Sequence, residues 1–312
     1  MSSIPTSGEP KQNRPAPWEG VALVFVLLMT LFCLSLFFGL LNPLLGLGEQ
    51  ATFYFLFIGE ALLIIPLWLW MIFRGYNWRE TLAFYPVRWP VMISAAAIAI
   101  LAWPVASIIA LPFEWMLSKI GPSPAIPTPE SVPEAVIFGL AVAVLAPMVE
   151  EPIFRGFIMR AWLGVSAFWA IVISSLLFGL QHGQLAELVS LVVIGLFLGI
   201  VRWRSGSIVP AMMMHGLFNA ISFLFLLPAT EPTWLTDSNL VIINLVAAPL
   251  LGLSVFYLFR QTQVEQEKKT SISAGRGRVL LAVSAVLVMM MFGLFGLIDI
   301  LSRWLPPELL SP

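Results

Sequence analysis

Two adjacent carboxylates, Glu150 and Glu151, lie inside an otherwise apolar run, AVIFGLAVAVLAPMVEEPIFRGFIMR, with Arg155 four residues after the second. At helical pitch Glu151 and Arg155 share a face and can pair, while Glu150 points about 100° away. The couple divides into a held carboxylate and a free one, and a free carboxylate in apolar surroundings suits general-base work. Pro152 follows directly and is expected to kink the helix, opening backbone groups to a polar cavity. The chain has only two histidines. His182 ends SSLLFGLQHG, four residues after Phe178, and His215 stands in MMMHGLFNAIS, four residues before Asn219 on one helix face. Imidazole can orient water, donate to an oxyanion or bind a metal. Asparagine supplies a neutral N–H donor suited to a developing alkoxide. His182, His215 and Glu150 could also make a His₂Glu zinc site with an open water position.

An ionisable group at the centre of a bilayer costs about 2.5–3.5 kcal/mol, so a cluster of them needs a reason to exist. Taken singly, a Glu–Arg pair or one histidine reads as structural. Glu60 and Asp299 are isolated charges of that kind in other apolar runs and receive no functional role. The three patterns EExxxR, FxxxH and HxxxN, in that order on separate runs, are jointly specific in a way that none is alone.

The elements that must position these residues are membrane helices. Hydrophobic residues make up 59% of the chain and charged residues 11%, with a mean hydropathy of +0.94. A soluble chain carries roughly 25% charged residues because its surface faces water, so here lipid is the solvent. The net charge of −1 gives no sign of a nucleic-acid partner. Cys33 is the single cysteine, which excludes internal disulfides, CxxC chemistry and a cysteine zinc cluster.

Apolar runs long enough to span a bilayer lie near 21–41, 53–73, 91–112, 133–159, 164–182, 185–202, 207–228, 239–259 and 279–301. The expected fold is therefore an all-α polytopic membrane protein of about nine transmembrane helices, or eight if one short run is re-entrant. The chain divides into a disordered cytoplasmic tail (1–20), a first group of transmembrane helices (21–132), the core that carries the motifs (133–228), a further transmembrane helix (229–260), a polar cytoplasmic loop (261–278), and a last transmembrane helix with the C-terminus (279–312). Gly195 and Gly199 form a small-xxx-small face for close helix packing.

Lys11 and Arg14, then Arg74, Arg79 and Arg88, then Arg155 and Arg160, then Arg202 and Arg204, and last Arg260, Lys268, Lys269, Arg276 and Arg278 fall on one side of this topology. Only Lys119 and Arg303 fall in the opposite loops. The split places the N-terminus in the cytoplasm, and the compact loops point to a prokaryotic plasma membrane. His215 lies about seven residues into its run, so a cavity open to the cytoplasm is expected. Simple spans disagree on depth, because a straight helix from Trp162 to His182 is about 12 Å longer than the one from Glu150 to Trp162.

The motif residues resemble those of the CPBP family, the CAAX prenyl protease and bacteriocin-processing (Abi) intramembrane endopeptidases. The likeness runs over roughly residues 133–225 and is carried by EEPIFRG (Glu150 to Gly156), FGLQH (Phe178 to His182), GLFLG and HGLFN (His215 to Asn219). The resemblance implies a CAAX-protease-like helical bundle in which Glu150 and His182 activate a water, and His215 and Asn219 stabilise the oxyanion. It also implies that Glu151, Arg155 and Phe178 support the site, without a cofactor. Its partners would be the lipid bilayer and a peptide or protein substrate, prenylated, leader-bearing or otherwise lipidated. Other intramembrane proteases fit poorly: no histidine is followed by glutamate as HExxH requires, the only aspartates are Asp237 and Asp299, and GVSA at Gly164 to Ala167 is a weak GxSG. The alternatives from other classes are a transporter with a Glu/Arg/His proton relay and a catalytically inactive membrane scaffold or immunity protein.

Overall fold

The computed structural model describes residues 14–46, 48, 51–121, 128–227, 236–262 and 276–304. Residues 1–13 of the expected tail, residues 263–275 of the expected loop, and Lys11, Lys268 and Lys269 lie outside the described residues. All regular structure among the described residues is helical. Helix α1 is Pro17–Leu45, α2 Ala51–Leu62, α3 Ile64–Arg74, α4 Trp78–Leu82 and α5 Trp89–Ser118. One long helix then changes character four times: α6 (Val132–Leu140), a π-helical segment π1 (Ala141–Leu145), α7 (Ala146–Glu151), a second π-helical segment π2 (Pro152–Ile158) and α8 (Met159–Leu163). After it come α9 (Ala167–Gln181), α10 (Leu188–Ser205), α11 (Val209–Leu226), α12 (Asp237–Gln261) and α13 (Arg276–Trp304).

Among the described residues eight helices are long and apolar enough to cross a membrane, and the ninth apolar run is the shorter Ala167–Gln181. The chain is thus an integral, multi-pass, all-α membrane protein. The depth conflict in the sequence has a simple origin. The turn over residues 164–166 takes three residues from the straight helix assumed between Trp162 and His182. From Glu150 to Leu163 is then about 20 Å of helix and from Ala167 to His182 about 22 Å, so both side chains reach one level.

Each joint in the bundle has a local cause. The second run breaks between α2 and α3 because Pro66 has no N–H to offer the Leu62 carbonyl one turn back. Gly75 closes α3 with a left-handed backbone (φ 66°), and the Asn77 side chain caps α4 by accepting from the amides of Arg79 and Glu80. Helix α4 then lies directly on the motif helix. A Cβ on Gly156 would stand 3.1 Å from the Leu82 Cα, so the glycine of EEPIFRG is what lets α4 approach. The turn after α4 is tied to the α10–α11 turn, where Ser207 Oγ donates to the Tyr85 carbonyl at 2.6 Å and the Ile208 amide donates to Ala83 at 3.1 Å. Around the motif helix α5 packs against α10, α11 and α12, α9 against α10, and α1 against α13. Phe154, Phe157, Ile153 and Phe178 are fully buried between them.

At the opposite end of the first helix a buried carboxylate joins α1 to α3. Glu19 accepts from Arg74 Nε at 2.7 Å, Tyr76 Oη at 2.8 Å, Trp70 Nε1 at 3.3 Å and the Ala16 amide at 2.7 Å. Burial, then the bond to Glu19 and its charge, push the Tyr76 phenol up from its ordinary range, so it stays a donor. Replacing Glu19 with alanine strands the Tyr76 hydroxyl and the indole N–H together. Thermal unfolding in detergent should show a loss of about 1–3 kcal/mol, whereas Arg74→Ala, at a half-exposed side chain, should cost less.

Candidate active site

The site is assembled on the helix that runs from α6 to α8, and two prolines shape it. Pro147 cannot donate to the Ala143 carbonyl, and the Ala146 amide bonds to Ala141 five residues back. The carbonyls of Val142 and Ala143 are thereby released from the helix. Helix α11 uses both. Asn219 Nδ2 donates to the Val142 carbonyl at 2.8 Å, and Gly216 presses its Cα face onto the Ala143 carbonyl, where a Cβ would come to 2.6 Å. Pro152 begins π2 in the same way, so the kink expected there takes the form of a local change of helical pitch. Glu150 and Glu151 stand on the six-residue α-helical stretch between these two π segments.

The two carboxylates part as their spacing requires. Glu151 has no exposure and Arg155 has none, and Arg155 Nη1 donates to Glu151 Oε1 at 3.1 Å. Arg155 Nη2 reaches the Gly195 carbonyl at 3.1 Å. Gly195 is forced by that contact: a Cβ there would meet Ser175 at 3.0 Å and the guanidinium at 3.3 Å. The guanidinium also lies over the Phe178 ring, 4.4 Å from its centre. His215 Nδ1–H donates to the same Glu151 oxygen at 2.9 Å, which directs its Nε2 at Glu150 Oε2, 3.6 Å away.

His182 follows α9 and its Nδ1–H donates to the Phe178 carbonyl at 3.0 Å, which points its Nε2 at Glu150 Oε1, 3.8 Å away. Phe178 separates the two imidazoles, with ring centres 5.0 Å from His182 and 5.5 Å from His215. Glu150 and His215 are buried, whereas the His182 side chain keeps 28% exposure and forms the open edge of the cluster.

Glu150, His182 and His215, from three helices, therefore converge, with Glu151, Arg155 and Phe178 packed directly behind them. Asn219 is the exception: it lies one turn beyond His215, and the bond it makes is to the Val142 carbonyl. With both Nδ1 atoms committed to fixed acceptors, each ring turns its Nε2 toward the Glu150 carboxylate, and the space between them suits a water. Among the described residues no group of three or more His, Cys, Asp or Glu side chains is placed to hold a metal ion.

Sequence reasoning missed three contributors. Pro147 and Gly216 give no signal of their own, because their partners lie on another helix. Glu60, read as an isolated structural charge, lies within electrostatic range of Glu150 and His182. Asp299 does pair on its own helix, with Arg303 Nε at 3.1 Å. A cavity of about 470 Å³ lies between α1 and α2, lined by residues from Leu31 to Pro43 and from Thr52 to Glu60, toward the opposite end of those helices from Glu19 and Arg74.

Residues 132–221 match the family described as Type II CAAX prenyl endopeptidase Rce1-like. That segment holds every residue of the cluster just described, and it bears out the resemblance carried by EEPIFRG, FGLQH and HGLFN. An Escherichia coli protein described as an uncharacterized 24.3 kDa protein is 30% identical over 129 residues, covering 38% of this chain and 54% of that protein. The chain thus spans about half the length of this curated relative. No solved structure matches it.

The buried pair and the contact of α11 with the Ala143 carbonyl each make a stability prediction. Arg155→Leu leaves the Glu151 charge buried with too little compensation and should cost about 3–5 kcal/mol in detergent unfolding, while adding Glu151→Gln should recover much of the loss. Gly216→Ala should cost about 1–3 kcal/mol by forcing α11 off the Ala143 carbonyl.

Proposed function

We propose that the protein is an intramembrane endopeptidase that hydrolyses a peptide bond of a membrane-associated substrate, prenylated or leader-bearing, by a metal-free, glutamate-based mechanism. The observation that carries this reading is the placement of the two Glu150 oxygens toward two imidazoles on different helices, at 3.8 and 3.6 Å. Those separations are too long for direct hydrogen bonds and suit a shared water.

Glu150 takes a proton from that water as its oxygen attacks the scissile carbonyl, with His182 orienting the water from the open side. The carbonyl oxygen becomes an oxyanion facing His215 and Asn219. Because His215 Nδ1–H is held by Glu151, Nε2 donates to the oxyanion while it holds the proton that Glu150 took from the water, with Glu151 supplying the balancing charge. Nε2 returns that proton to Glu150 as the intermediate collapses. Asn219 Nδ2 carries a second hydrogen beyond the one given to Val142, which is available to the same oxygen. The intermediate collapses, the C–N bond breaks, and the proton held by Glu150 passes to the leaving amine. Glu151, Arg155 and Phe178 position these groups without touching substrate. The Lys and Arg distribution supports a cytoplasmic N-terminus, and the compact loops support a prokaryotic plasma membrane.

Purified protein should cleave a fluorogenic prenylated peptide, and Glu150→Gln should lower kcat by about 10²–10⁴-fold without loss of thermal stability. Activity should persist in chelator. Loss in chelator with return on added zinc would replace this mechanism with a metal-dependent one. Substrate flux in sealed vesicles that Glu150→Gln abolishes, with no cleavage, would identify a transporter instead.

A further inference from the structure

The cavity between α1 and α2 has an apolar wall with a polar stripe along it. Leu31, Leu34, Phe38, Phe55 and Leu56 supply the wall, and Phe38 and Phe55 stack at 4.4 Å across it. The stripe consists of Ser35 and Asn42, two turns apart on one face of α1, and Thr52 and Glu60 on α2. Two of these residues bear orphaned acceptors: Glu60 Oε1 and Asn42 Oδ1 are buried and have no hydrogen-bond partner among the described residues. A buried acceptor left without a donor is unfavourable, so the cavity is built for an occupant that brings N–H or O–H groups.

Glu60 is also where this cavity meets the chemistry. Helix α2 packs against α7, which carries Glu150, and Glu60 lies within electrostatic range of both Glu150 and His182. Glu60 thus lines the cavity from the helix that packs against the Glu150-bearing segment. An acyl or isoprenoid chain would fill the apolar wall but offer nothing to the two acceptors. An extended peptide brings both apolar side chains and main-chain N–H groups, which in an apolar setting themselves need acceptors. Along α1 the lining runs about 18 Å, from Leu31 to Pro43, which is the length of about five extended residues.

We propose that this cavity is the subsite for the substrate segment flanking the scissile bond, and that Glu60 is a specificity-determining residue that accepts a main-chain N–H of that segment. The inference rests on the peptidase reading above and names the groups that align its substrate. Glu60 acts here through an oxygen lone pair, which an amide also possesses.

The test compares wild type, Glu60→Gln and Glu60→Leu on a fluorogenic prenylated peptide and on analogues N-methylated at successive main-chain nitrogens. Glu60→Leu should raise KM about tenfold with kcat little changed, and Glu60→Gln should restore most of the loss. One N-methyl position should lower kcat/KM about tenfold in wild type and have no further effect in Glu60→Leu, the signature of a lost pairwise contact. An unchanged KM in Glu60→Leu overturns the proposal. So does a Glu60→Gln variant as inactive as Glu150→Gln, which would mark a proton-handling group. An N-methyl effect of equal size in all three proteins, or a Glu60 effect that follows the prenyl group instead, also overturns it. Binding of the same peptides to Glu150→Gln protein, with and without Glu60→Leu, separates the two claims. Glu60-dependent binding with no cleavage by wild type retains the subsite and removes the peptidase, whereas cleavage with Glu60-independent binding does the reverse.

Discussion

Glu151 carries a carboxylate with no contact to solvent, and the architecture around the cluster answers the problem of compensating it. In hydrocarbon such a group must be met by charge and by donors within the protein, and removing either leaves a penalty of several kcal/mol. Arg155 on its own helix and His215 on α11 both give their hydrogen to the same oxygen, Oε1. Compensation of one charge thus fixes the distance between two helices. It also fixes which His215 nitrogen holds the proton, and so which nitrogen faces Glu150. Arg155 extends the constraint to a third helix through the Gly195 carbonyl. The paired carboxylate is the means by which the unpaired one acquires defined neighbours.

The prolines on either side of this pair do the complementary task for the backbone. A regular α-helix keeps its carbonyls for itself, so it can receive a neighbouring helix only through side chains. By withholding one N–H, Pro147 turns a length of the helix wall into a row of acceptors, and α11 docks on them through Asn219 and Gly216. The same register change rotates the succeeding turns, so that Glu150 and Glu151 enter the bundle interior together while Gly156 meets the backbone of α4. π segments are locally unfavourable, and here their partners from α11 and α9 offset the strain, Ser174 Oγ donating to the Phe154 carbonyl at 2.9 Å.

How much of this the residues announced depends on where their partners lie. The Glu151–Arg155 pair, the Phe178–His182 step and the His215–Asn219 step each sit within one helix, so spacing alone disclosed them. The apolar runs disclosed the bundle for the same reason, because burial in lipid is written residue by residue. What failed involved a second helix. Pro147 reads as an ordinary kink until α11 is seen on the carbonyls it releases. Asn219 reads as an oxyanion donor until its bond to Val142 shows that it also joins α11 to π1. Glu60 reads as a lone charge because nothing in its own helix pairs with it. The depth of His182 is set by the turn at 164–166, which spacing alone leaves open between a flat segment around Leu163 to Trp169 and a longer fourth helix.

The arrangement also separates chemistry from access. The cluster is closed toward α10 and α11, where Arg155, Phe178 and His215 are buried, and its exposed edge is His182. The cavity that Glu60 lines belongs to α1 and α2, which lie outside the segment 132–221 that matches the CAAX endopeptidase family. A carbonyl carbon attacked at Glu150 is the same in any peptide, but the groups flanking it must be desolvated against whatever surface leads in. If that cavity receives the substrate, selection resides in the first two membrane passes, where a polar stripe on an apolar wall discriminates by the positions at which it supplies acceptors. A main-chain amide that misses those positions enters the hydrocarbon unpaired, and that penalty, more than any attraction, is what the wall has available to reject a wrong sequence.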